Sequence, residues 1–249
     1  MRPLIAGNWK MHGLQSQLGE IQAIADIVWD RPPYADILIC PSPTLIARAV
    51  EIAADFVTIG GQDCHAEISG PFKGDVSAEM LKDAGASAVI VGHSERRQYH
   101  GETDTVVAAK AKAALRAGLL AIICFGEAGA QRRDGKALSV CADQISGSVP
   151  RGTDAFAAII AYEPQWAIGT RRAPTLEEIA VMHAHIRQTL GTLLGVDGQN
   201  NRGLYGGSVQ PSNAHEILNL ADVDGALVGG ASLEAAEFAA IFGATSPPA

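Results

Sequence analysis

Basic residues are the scarcer charge in this chain: 19 Lys and Arg stand against 27 Asp and Glu, a formal net charge of −8 at pH 7. An averaged field of that sign repels polyanions and offers no basic face for a phosphate backbone, which argues against a nucleic-acid partner. A small anion is still admissible, because a pocket can hold a local positive potential against the global sign if it brings its own cation. The four cysteines, Cys40, Cys64, Cys124 and Cys141, form no C-x-x-C pair. Cys40 and Cys124 close apolar runs, where a buried thiol behaves as a small hydrophobe, so a reducing compartment is expected. No run approaches the ~20 apolar residues of a membrane span, and Met1–Asn8 has no long apolar stretch of the secretory kind, so the expected location is cytoplasmic, away from membranes. The composition of a disordered chain is also missing: 47% of residues are hydrophobic and 18% charged.

Enough apolar material is present for one large core, and α/β barrels use ~250 residues as a single domain, so residues 1–249 are expected to form one domain with a loose tail at 244–249. Short apolar runs recur along the chain at 4–6, 37–40, 57–59, 88–91, 119–124, 157–161, 204–205 and 226–228. All but the short seventh have the character of strands buried on both faces. Between them lie stretches of helical period, such as Leu14, Leu18, Ile21, Ala25, Val28 and Leu176, Ile179, His183, Ile186, Leu190. Thr175 and Glu178 make a capping box, Pro211-Ser212-Asn213 opens the seventh helix, and Gly198-Gln199-Asn200-Asn201 is expected to be a loop. Eight strand–helix units of about 31 residues, joined by right-handed crossovers, predict a parallel eight-stranded α/β barrel with outer helices.

In such a barrel the loops after the strands build the site, so the polar residues directly after each run are the candidates. They are Asn8 and Lys10 after the first, His93 and Glu95 after the fourth, Glu163 after the sixth, Gly206-Gly207-Ser208 after the seventh, and Gly229-Gly230 after the eighth. Glu163 sits at the lip of a buried strand, where loss of water makes a carboxylate a stronger base; taken alone, a glutamate there caps or pairs as readily as it reacts. His93 precedes a first helical turn, whose positive end favours a neutral imidazole able to donate to a carbonyl. His183 lies on the apolar face of its helix and reads as structural. The His183/His185 pair diverges on a helix and Cys64-His65 is adjacent, so no metal is expected. The two Gly-Gly pairs allow backbone amides to approach an anion where barrels bind phosphate, although Gly60-Gly61 shows that the dipeptide also serves as a plain turn. Residues 164–174 are long for a connection of this type, and Trp166 and Ile168 within them suit a lid.

These residues fall into five ordered motifs: Gly7-Asn8-Trp9-Lys10-Met11; Gly92-His93-Ser94-Glu95-Arg96-Arg97; Tyr162-Glu163-Pro164 with Trp166-Ala167-Ile168-Gly169-Thr170; Tyr205-Gly206-Gly207-Ser208-Val209; and Val228-Gly229-Gly230-Ala231-Ser232. Over essentially its whole length the sequence resembles the triosephosphate isomerase family. The resemblance implies a (βα)8 TIM barrel that interconverts dihydroxyacetone phosphate and D-glyceraldehyde 3-phosphate in glycolysis and gluconeogenesis, with no cofactor. It implies Glu163 as base, His93 as electrophile, Lys10 as the ammonium facing an enediolate, Asn8 lining the pocket, and Glu95 positioning Lys10. The pairing of a base glutamate with a neutral histidine is this family's own well-known pattern. The amides of Gly169, Ser208, Gly229 and Gly230 would hold the phosphate.

Departures from the family's usual pattern accompany the match. Arg171 stands where the family usually has glycine, and Pro174 stands where it commonly has an alanine whose N–H can reach the tyrosine here numbered Tyr205. Lys73 and Asp75 replace a common threonine and glutamate in a loop that inserts into a second subunit in family members, so a homodimer with altered contacts is expected. The competing readings are an isomerase of another short sugar phosphate such as a tetrulose phosphate, a metal-dependent phosphosugar lyase, and a catalytically silent phosphate-binding protein.

Overall fold

The computed structural model describes residues 1–154, 156–167 and 173–247. Eight strands, β1 Leu4–Asn8, β2 Asp36–Cys40, β3 Thr58–Gly61, β4 Ala88–Val91, β5 Leu120–Phe125, β6 Ala158–Tyr162, β7 Arg202–Tyr205 and β8 Gly225–Val228, pair in sequence order. Every pairing is parallel, and β8 returns to β1 to close the barrel. The strands match the apolar runs to within a few residues, including the weak seventh.

Alternation explains why these runs carry no polar face. Leu4, Ala6, Leu38, Cys40, Ala88, Ile90, Ile122, Cys124, Ile159, Ala161, Leu204 and Leu227 pack together inside the barrel. Their neighbours Ile5, Ile37, Ile39, Val89, Val91, Ile123, Phe125, Ile160 and Tyr162 point outward and pack under the helices. Each strand is therefore wetted on neither side, and at ~25 cal/mol per Å² of apolar surface such burial is the main stabilising term. The outer layer contains α1 Leu18–Asp30, α2 Ile46–Ala53, α3 Ala78–Asp83, α4 Ser94–His100, α5 Asp104–Arg116, α6 Gly129–Arg133, α7 Ala137–Ser148, α8 Leu176–Leu194, α9 Ala214–Leu218 and α10 Ala235–Phe242. All four cysteines are buried free thiols, and burial pushes Cys64 up to about 12.

Local signals hold at several helix starts. Thr175 Oγ1 accepts the Glu178 amide at 3.2 Å while the Glu178 carboxylate accepts the Thr175 amide at 2.8 Å, the reciprocal capping box. Before α9, Asn213 Oδ1 accepts the Gln210 amide at 2.9 Å. The first helix differs from expectation: Leu14 is exposed and outside it, and a 3₁₀ turn at Gln15–Gln17 leads into α1. The segment expected as a loop at 198–201 is instead mostly helical, since Gly195–Asn200 forms a 3₁₀ helix. Arg187 of α8 explains the difference, because its guanidinium donates to the carbonyls of Gln199 and Asn201 and ties the segment down. The tail also begins in order: the amides of Ala244 and Thr245 bond back to Ile241 and Phe242. Pro248 and Ala249 lie outside the described residues.

Candidate active site

At the carboxyl ends of the strands the side chains of Asn8, Lys10, His93 and Glu163 share one cavity of about 540 Å³ with Gly206–Ser208, Gly229 and Gly230. Five different strand ends thus supply one mouth, as expected for a parallel barrel. Gly169, the remaining phosphate candidate, and Arg171 lie outside the described residues, as do Ile168, Thr170 and Arg172.

Lys10 is held in an unusual backbone state. Its φ is +53°, a left-handed conformation that a lysine adopts only when its surroundings enforce it. Asn8 Oδ1 accepts the Lys10 amide at 3.0 Å, and Gln62 Nε2 donates to the Lys10 carbonyl at 2.8 Å and to the Cys40 carbonyl at 2.9 Å. The ammonium then meets Glu95 Oε1 at 2.6 Å. Gln62 is not among the candidates that the sequence offers, yet it stands directly after β3, a position from which a polar side chain faces the mouth of the barrel.

Gly92, at φ +69°, turns the chain from β4 into α4, a bend that an L side chain rarely makes. His93 becomes the N-terminal cap of α4, with Nδ1 accepting the Glu95 amide at 3.3 Å. Its other nitrogen, Nε2, lies 2.7 Å from Glu163 Oε1, and Glu163 Oε2 accepts the Ser94 amide at 2.7 Å. Both side chains are almost wholly buried. Gly206 makes room for this carboxylate, since a Cβ there would come within 2.9 Å of Glu163 Cγ.

Opposing influences act on the charge of this imidazole, whose Nδ1 here accepts an amide proton as a neutral ring does. Burial pushes the His93 pKa down, but the Glu163 carboxylate, through its charge and its hydrogen bond, outweighs that and holds it above the ordinary histidine value. Lys10 opposes the charge and Glu95 favours it. A proton on Nδ1 would break the bond from the Glu95 amide and face Glu95 Oε2, 3.8 Å away. With Glu163 off Nε2 the largest influence raising the His93 pKa is lost, and burial acts with less opposition.

Beside the Lys10 side chain, Gly229 caps and Gly230 opens a 3₁₀ turn, Gly230–Ser232, whose first amides have no carbonyl to bond within the turn. Amides of this kind suit an anion.

The triosephosphate isomerase family model matches residues 3–245. Triosephosphate isomerase of Chelativorans sp. (strain BNC1) is 58% identical over 243 residues, covering 97% of this chain and 96% of that protein. The enzyme of the same name from Afipia carboxidovorans is 58% identical over 245 residues, with 97% and 96% covered. A crystal structure of triosephosphate isomerase from Bartonella henselae superposes with a TM-score of 0.91 at 48% identity, covering 98% of this chain and 99% of that one. The chain belongs to the triosephosphate isomerase family.

Behind the cavity this member of the triosephosphate isomerase family buries a second carboxylate that the sequence reading missed. Glu127 has no exposed surface, and its Oε1 accepts from Trp166 Nε1 at 2.8 Å, Arg132 Nη1 at 3.1 Å and the Tyr162 hydroxyl at 3.2 Å. Burial and this neighbouring carboxylate hold the Tyr162 hydroxyl well above its ordinary pKa, which keeps it a donor. The Arg132 guanidinium also lies 4.5 Å above the Trp166 ring. Glu127 stands two residues after β5, so its position carried the same signal as Glu163. His183, read as structural, is buried, and Nδ1 pairs with the Asp222 carbonyl at 3.1 Å.

Proposed function

We propose a division of labour for the reaction that this chain catalyses, the interconversion of dihydroxyacetone phosphate and D-glyceraldehyde 3-phosphate, a step of glycolysis and gluconeogenesis. Glu163 takes the proton α to the carbonyl and returns it to the adjacent carbon. His93 donates from Nε2 to the oxygen that gains charge, and the Lys10 ammonium faces the enediolate. Asn8 lines the pocket and holds the Lys10 backbone, and Glu95 positions the ammonium. The amides of Ser208, Gly229 and Gly230 receive the phosphate. The residues 1–249 act as one barrel domain.

The observation that carries this reading is the meeting of carboxylate, imidazole and ammonium in one cavity that the Gly229–Gly230 turn also lines. Charge that develops on two neighbouring oxygens finds fixed donors, and each such donor is worth roughly 3–4 kcal/mol in a transition state. To reach a carbon-bound proton, Glu163 exchanges its bonds to Ser94 and His93 for substrate, which at the same time frees Nε2 to donate. Comparing kcat/KM for dihydroxyacetone phosphate and a tetrulose phosphate tests the substrate. A preference for the triose by at least about tenfold supports the reading, and equal values contradict it.

The working unit is a homodimer, and its support is a second cavity of about 710 Å³ on the other side of Lys10 and Glu95, lined by Met11, His65 and Tyr99. Met11 is 96% exposed, and Ile68, Phe72 and Tyr99 are exposed too, a concentration of apolar surface that marks an interface. Phe72 packs on His65 with ring centroids 4.0 Å apart, and Lys73 beside it is exposed. Sedimentation at micromolar concentration checks it: a dimer mass is expected, and a single species of monomer mass overturns it. The reaction's place in glycolysis and the four free thiols support a cytoplasmic location.

A further inference from the structure

Trp9 stands between Asn8 and Lys10 yet takes no part in the cavity they line. It is 1% exposed, and its Nε1–H donates to the Ser232 carbonyl at 2.9 Å, joining residues 223 apart in sequence. Ser232 is itself wholly buried and closes the Gly230–Ser232 turn. Its amide and its hydroxyl both return to the Gly229 carbonyl, at 2.9 Å and 2.7 Å. One residue before Asn8, the β1 backbone presses on the same serine: a Cβ on Gly7 would come within 2.7 Å of Ser232 Cβ. The indole is boxed in from the other side, where a Cβ on Gly13 would lie 2.8 Å from its ring.

We propose that Trp9 is a positioning residue for the substrate phosphate. By holding the Ser232 carbonyl, its indole N–H fixes the pitch of the turn that points the Gly229 and Gly230 amides into the cavity; the inference rests on the reading that these amides bind phosphate. Tryptophan suits the task because it carries a donor and no acceptor at the end of a rigid side chain with two rotatable bonds. Without that donor the Ser232 carbonyl is left buried and unpaired by the indole, and the turn shifts to recover a partner. Residues 7–10 thereby set both ends of the substrate site, seating the phosphate turn through Gly7 and Trp9 and presenting the ammonium through Lys10. The distance between phosphate and reacting carbons is held by one short stretch at the end of β1 and just after it.

The test is Trp9→Phe in the full-length enzyme, which keeps an aromatic ring and removes the donor together with part of the indole's bulk. The expected result is a rise of about five- to tenfold in KM for dihydroxyacetone phosphate and in the inhibition constant of inorganic phosphate. With it, kcat and the slow α-proton exchange of phosphate-free D-glyceraldehyde stay within about twofold. Unchanged KM and phosphate inhibition, or an equal fall of kcat and glyceraldehyde exchange with no change in KM, overturns the proposal. A titration of the wild type with inorganic phosphate, followed by the 15N–1H resonances of Gly229, Gly230 and the Trp9 indole, needs no variant. All three are expected to shift together. If Gly229 and Gly230 shift and the indole does not, the phosphate reading stands and the role of Trp9 falls. If neither glycine responds, the phosphate reading itself fails and takes the proposal with it.

Discussion

Glu163 and His93 share a hydrogen bond of 2.7 Å between Oε1 and Nε2, and the carboxylate acts on the charge of the imidazole. Burial alone would lower the His93 pKa, and the carboxylate is what holds it up. Replacing Glu163 with glutamine keeps an acceptor of similar shape and removes the charge. The His93 pKa should then fall below that of the wild type, measured by NMR titration of the ring nitrogens; an unchanged value would contradict the pairing. The sign for stability follows from linkage. A pKa raised in the folded state contributes stability that is fully present below the unfolded value of ~6.5 and is lost as pH rises through the folded value. Glu163→Gln should flatten that loss.

Lys10 and Glu95 make a contact of 2.6 Å at the mouth of the cavity, where both side chains remain about one-third exposed. Solvent screens such a pair, so its worth lies in aiming the ammonium rather than in stability. Glu95→Gln should leave the unfolding midpoint in urea nearly unchanged and lower kcat/KM by about tenfold or more. Wild-type kcat/KM in this variant would remove Glu95 from the proposed roles.

Glu127 is buried completely, and Arg132 is the cation it touches. A carboxylate left in such a place without its cation is costly, of order 3 kcal/mol. Arg132→Ala should therefore lower the free energy of unfolding by about 3 kcal/mol, and adding Glu127→Gln to it should restore part of the loss. Denaturation in urea measures both, and a double variant no more stable than the single one would argue against an uncompensated charge as the cause.

His183 gives a pH dependence of opposite sign to that of His93. Burial lowers its pKa to about 4. Its folded pKa lies below the unfolded ~6.5, so protonation favours the unfolded chain as pH falls from ~6.5 to ~4, costing about 3 kcal/mol across that window. His183→Asn lowers stability at neutral pH but should flatten the slope between pH 6.5 and 4. A slope equal to that of the wild type would place the titration elsewhere.

The barrel was legible because each strand is buried on both faces, so that runs such as Ile37–Cys40 and Ala88–Val91 carry the pattern without help from distant residues. Glu163 and His93 were legible for a related reason: a polar residue immediately after such a run has only the mouth of the barrel to face. What the sequence hid depends on partners far along the chain. Gln62 matters through the carbonyls of Lys10 and Cys40, and Glu127 through Trp166 and Arg132. The helical turn at 195–200 reads as loop by composition, and it is Arg187 that fastens it. The charge of His93 could not be read from its helix alone, because the deciding carboxylate sits 70 residues away.

The central claim is that a carboxylate of fixed reach at position 163 moves the proton. Glu163→Asp retains the charge and withdraws it by one methylene, about 1 Å, so a coupled assay of the two enzymes side by side tests it most directly. The expected result is a fall in kcat of about 100-fold or more with a much smaller change in KM. A Glu163→Asp enzyme that turns over at nearly the wild-type rate would contradict it.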